Sequence, residues 1–90
     1  MKGDVNMIDL IGNVSVECYY MNESINGVRY GVITKSNENG DIRFTTDCIR
    51  IEKTYKTVKG MSRYLIANTD WYPCDSYHME QCKKQIHYIK

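Results

Sequence analysis

Val14-Ser15-Val16-Glu17-Cys18-Tyr19-Tyr20-Met21, followed by Asn26-Gly27 and then Val28-Arg29-Tyr30-Gly31-Val32-Ile33-Thr34-Lys35, is the stretch from which the architecture follows. Val14, Val16, Cys18 and Tyr20 alternate with Ser15, Glu17, Tyr19 and Met21, the period-two pattern of a strand, and valine and tyrosine favour that conformation. Asn26-Gly27 predicts a tight type I′ corner, which needs positive φ at both central residues, and Val28–Lys35 returns as the second strand. With Asn26 and Gly27 as the two loop residues, Tyr20 faces Ile33 and Met21 faces Val32. The pleat then assigns every neighbour to a side.

Working outward, Ser36-Asn37-Glu38-Asn39-Gly40-Asp41 is a second turn cluster, and Ile42–Ile51 reads as a third strand. Thr54 is placed to cap a helix that buries Tyr55, Val58, Met61 and Leu65. Asn68 and Thr69 end that helix, and Pro73 forbids its continuation. Asp75 or Ser76 opens a second helix whose inner stripe is Met79, Cys82, Ile86 and Ile89. The expected fold is α+β, a three-stranded antiparallel β-meander packed on one face by two C-terminal helices. It forms a single domain over residues 1–90, with 1–12 a loosely ordered or packing N-terminal segment.

Ninety residues leave room for one modest core. Twelve Lys and Arg against eleven Asp and Glu give a formal charge of +1, too little to draw in phosphate backbones or an acidic membrane over long range. No stretch approaches the ~20 apolar residues of a membrane span, and no leader-like apolar run is present, so a cytoplasmic protein with no membrane partner is expected. Cys18, Cys48, Cys74 and Cys82 are too sparse for a disulfide scaffold, and in that compartment they stay reduced.

One sheet face collects Val16, Cys18, Tyr20, Ile33, Ile42, Phe44 and Cys48. The other collects Tyr19, Met21, Tyr30, Val32, Arg43, Asp47 and Ile49, which is too apolar for a face left in water. An exposed apolar patch with Tyr and Arg in it marks a partner site, so Tyr19, Met21, Tyr30, Val32, Arg43 and Asp47 are the candidate protein-binding residues. The competing expectations are that the N-terminal segment, through Met7, Ile8, Leu10 and Ile11, folds over this face as a second small core, or that the face makes a homodimer.

Other constellations are weaker. Cys74-x3-His78-x3-Cys82 has zinc-like residue types, but on one helix its ends stand about 12 Å apart, beyond the reach of a single ion, so no metal or other cofactor is assigned. Cys82, His78 and Asp75 lie close enough in sequence for a nucleophile, base and orienting acid. No oxyanion loop accompanies them, and no catalytic residue is assigned. Lys53, Lys56, Lys59 and Arg63, with Tyr55 and Tyr64 interleaved, form a basic stripe that supports nucleic-acid binding as the alternative function. Trp71-Tyr72-Pro73 offers a further anchor in the loop between the helices, although a Trp there commonly plugs the open end of a core.

Cys18-Tyr19-Tyr20-Met21, Tyr30-Gly31-Val32, a helix, and a proline-bearing loop before a last helix resemble a family of short uncharacterised proteins from clostridia and related low-GC bacteria. The likeness runs from about residue 14 to the end, with Tyr30-Gly31-Val32 its clearest local feature. After the loop proline that family carries a His-Leu pair and acidic residues, where this chain has Cys74-Asp75. The resemblance implies no activity. The residues themselves point to a small non-enzymatic module that binds a larger protein. By analogy, its most concrete form is a phage-encoded inhibitor of a bacterial defence system, anti-CRISPR-like, occluding a site on a larger effector.

Overall fold

A computed structural model describes residues 7–47 and 50–89. The elements are β1 (Ile8–Ile11), β2 (Val14–Ser24), β3 (Gly27–Ser36), β4 (Ile42–Thr46), β5 (Arg50–Tyr55), α1 (Val58–Asn68), β6 (Tyr72–Pro73), α2 (Ser76–Lys83) and β7 (Ile86–Ile89). The fold is α+β, with an antiparallel sheet in the order β5-β4-β3-β2-β6 and a separate parallel pair of β1 with β7. The sheet therefore has five strands rather than the expected three. The stretch Ile42–Ile51 does not run as one strand: β4 ends at Thr46, Asp47 turns inward to meet Arg29 Nη2 at 3.0 Å, and the chain returns as β5. Cys48 and Ile49, assigned above to opposite sheet faces, lie outside the described residues.

The β2–β3 corner sits one residue earlier than a type I′ turn would place it. Ser24 pairs with Gly27, so Ile25 and Asn26 are the loop residues. Both keep negative φ, while Gly27 takes φ +116°. That is a turn of ordinary hand closed by a positive-φ glycine. Ser24 Oγ at its first position accepts a hydrogen bond from Asn26 N (3.1 Å). Tyr20 consequently faces Gly31, and Met21 faces Tyr30. Each partner moves by two residues, so the faces assigned around the corner keep their parity. Further along β2 parity changes, because a bulge between Val16 and Cys18 leaves Glu17 without a partner residue. Val16 thereby leaves the side of Cys18 and Tyr20 and packs with the opposite core.

Both faces of the sheet are covered. On one side α1 lays Met61 and Leu65 over Tyr20, Ile33, Ile42 and Phe44, and Trp71 closes the end with its ring 5.1 Å from that of Phe44. On the other side, Ile8 and Leu10 of β1 and Cys82 of α2 bury Met21, Tyr30 and Val32. The helices thus lie on opposite faces, not on one, and the last apolar residues Ile86 and Ile89 belong to β7 rather than to α2. Residue Ile8 pairs with Ile86 and Ile11 with Ile89. α1 begins after Thr57, not Thr54. Tyr55 still belongs to β5 and pairs with Ile42, whereas Thr57 has extended backbone and its side chain accepts from Gly60 N at 3.0 Å. At α2, Asp75 plays the same part for His78 N (2.8 Å). Among the described residues, no helix is long and apolar enough to cross a membrane.

Candidate functional site

The face proposed from sequence for protein binding is mostly interior. Met21 is 3% exposed, Tyr30 5% and Val32 0%, all inside the second core, so these three cannot present themselves to a partner. The reason is the N-terminal strand: β1 alternates, with Ile8 and Leu10 inward and Asp9 and Ile11 outward, and β7 holds it in place. Tyr19 is half-buried at the margin, with the Lys83 ammonium 5.7 Å above its ring. Asp47 has its carboxylate enclosed beside Arg29. Arg43 alone of the six extends into solvent, 3.9 Å from Asp41 Oδ2.

The Asp75, His78 and Cys82 group is engaged structurally. Asp75 caps α2, and His78 Nδ1 lies 2.9 Å from the Tyr30 hydroxyl, giving that buried phenol a partner. Cys82 is buried in the second core, and burial, with Cys74 adding, pushes its thiol up to about 12; burial and Asp75 raise Cys74 to about 11. Such thiols stay protonated at neutral pH and make poor nucleophiles and poor ligands. Among the described residues, no three His, Cys, Asp or Glu side chains are grouped to hold a metal ion.

Lys53, Lys56, Lys59 and Arg63 are all exposed, but they do not form one helix face. Lys53 lies on β5 and Lys56 in the turn, and only Lys59 and Arg63 are on α1. Tyr55 and Tyr64 pack against the first core, their rings tilted with centroids 6.1 Å apart, and the Lys53 ammonium sits 4.6 Å over the Tyr64 ring. Neither ring is offered to a base.

Large exposed apolar side chains occur along β1 and β7 (Ile11, Tyr88), on α1 (Ile66) and toward the corner end of the sheet. Ile25 is fully exposed at the hairpin tip, and Val28, Tyr72 and Tyr77 stand out around it. They are linked through neighbouring residues: Val28 pairs with Glu23, the Tyr72 hydroxyl donates to Glu23 Oε1, and Tyr77 packs edge-on against His78 with centroids 5.1 Å apart. The hydrogen bond to the Glu23 carboxylate pushes the Tyr72 phenol up to about 12. Tyr72 belongs to the loop anchor singled out from sequence, while its neighbour Trp71 is the core plug. Ile25, Val28 and Tyr77 went unremarked there, although an isoleucine at a hairpin corner is itself a signal: a position facing water gains nothing from it. Comparison of the chain with family models, curated proteins and solved structures returned no match.

Proposed function

We propose that this chain is a small protein-binding module that docks through the corner end of its sheet, with Ile25, Val28, Tyr72 and Tyr77 as the contact residues. The observation that carries this reading is the fully exposed Ile25 at the hairpin tip, with the exposed Tyr72 held by its hydroxyl to Glu23 two residues before it. Two aromatic rings with polar tips and two aliphatic side chains are the composition of a contact centre, and Ile25, fully exposed, contributes nothing to the core. The two capped helices and the doubly covered sheet act as a rigid mount for that end.

The test compares recovery of bound protein by the wild type and by an Ile25→Ser, Tyr77→Ser double variant. Both positions are solvent-facing, so the double variant keeps its stability within about 0.5 kcal/mol per site. A partner retained by the wild type and lost by the variant is the expected result. Equal recovery of that partner by both removes this surface from consideration.

A further inference from the structure

A second feature, independent of the corner end, is an unfinished strand edge beside an apolar groove. β2 is eleven residues long, but on its outer side β6 pairs only with Tyr20 and Met21, and Cys74 N donates to Tyr19 O at 3.0 Å. Over Val14–Cys18, no strand among the described residues pairs with that side. Backbone donors and acceptors along such an edge are a template for another extended chain. Next to it, Cys18 and the flank of α1 form a groove lined by Val58, Ile66 and Ala67, with Lys59 and Arg63 at its rim. Ile66 is largely exposed there, on a helix whose buried residues are Met61 and Leu65.

We propose that this edge and groove receive an extended, acidic segment of a partner chain as an added strand. Every second side chain of such a strand would project over the groove. Apolar ones would meet Val58, Ile66 and Ala67, and a carboxylate would meet Lys59 and Arg63, which stand one turn apart on the same side of α1. Neither cation has an ion pair among the described residues. A second copy of this chain fits less well: antiparallel pairing of two β2 edges about a two-fold axis brings both α1 helices to the same side of the joint, setting Lys59 and Arg63 against themselves. A nucleic-acid strand would want stacking rings, and the nearby Tyr64 is covered by Lys53.

The experiment titrates the full chain with a capped heptapeptide, Glu-Thr-Val-Thr-Val-Thr-Glu, whose one face carries both valine and glutamate, following backbone amide signals and their hydrogen exchange. The expected result is shifts confined to Val14–Cys18 and the groove side of α1, slower exchange along Val14–Cys18, and affinity about tenfold lower for Lys59→Glu with Arg63→Glu. The single variants Lys59→Gln and Arg63→Gln provide the same comparison should the double variant unfold. A version of the peptide with every backbone nitrogen methylated should fail to bind, since neither of its edges can then donate to β2. Any of four outcomes overturns the proposal: no shift at Val14–Cys18 at millimolar peptide; equal binding of the methylated peptide or of a lysine-for-glutamate peptide; tighter binding of oligo(dT) at the same residues; or a doubled mass by light scattering with the same shifts in the absence of peptide.

Discussion

Gly31 stands opposite Tyr20 in the sheet, and a Cβ there would lie 2.5 Å from Phe44 Cζ and 2.9 Å from Thr46 Cγ2. The glycine is a space-maker for the Tyr20–Phe44 edge contact rather than a hinge. Gly31→Ala should therefore destabilise by about 1–3 kcal/mol, the range for overpacking, and denaturant melting measures it directly. The thiols give a prediction of opposite character. With Cys74 raised to about 11 and Cys82 to about 12 from the ordinary 9.0, the unfolded chain loses these protons above pH 9 while the folded chain keeps them. The unfolded state then binds fewer protons, so stability falls as pH rises from about 9 toward 11–12, by at most ~1.4 kcal/mol per pH unit per thiol. Melts at pH 8 and pH 10.5 should show a steeper loss in the wild type than in a Cys74→Ala, Cys82→Ala variant, and an equal loss would sink the assignment. Little of this was legible from sequence. Alternation gave the inward side of Tyr20 and Phe44, but the space left by Gly31 and the second layer around Cys82 depend on residues far away in the chain.

Helix α1 shows how a local signal is overridden by pairing. Thr54 and Thr57 are equally plausible caps on propensity grounds. The deciding interaction is β5, which keeps Tyr55 extended against Ile42 so that the helix can begin only afterwards, at Val58. Thr57→Ala should cost about 1 kcal/mol by removing the acceptor for Gly60 N, whereas Thr54→Ala, exposed on a strand, should stay within about 0.5 kcal/mol. Reversal of that order in denaturant melts would move the helix start back to Thr54. The end of α1 at Asn68 and the Asp75 cap of α2 were readable, because proline and capping residues act over three or four positions. The tail was not. Ile86 and Ile89 continue a helical spacing in the sequence, and only the partner strand Ile8–Ile11, at the other end of the chain, turns them into β7. The bulge at Glu17 is of the same kind: one unmatched residue moves Val16 across the sheet without leaving a mark in the alternation itself.

At the scale of the molecule, the second core is closed by a clasp between the two ends of the chain. Asp9 and His87 sit opposite each other in the β1–β7 pair although 78 positions separate them, and closing a loop of that length costs about 4 kcal/mol of chain entropy. That cost is offset by burying Ile8 and Leu10 against Met21, Tyr30 and Val32. The first core, in contrast, holds Tyr20, Phe44, Met61, Leu65 and the single tryptophan, Trp71, and shares none of its buried residues with the clasp. Among the described residues the two clusters have no member in common and lie on opposite faces of the sheet, so a change that opens the clasp should leave the environment of Trp71 unaltered. Leu10→Asp puts a charge into the second core, which cannot be solvated there, and the clasp should detach. The exposed face is then the apolar one that alternation alone would have left in water. Dye binding to apolar surface and self-association by light scattering should both rise, while Trp71 emission keeps its native maximum. If Trp71 emission shifts to that of the unfolded chain in the same variant, the two cores form one cooperative unit and the clasp cannot open by itself.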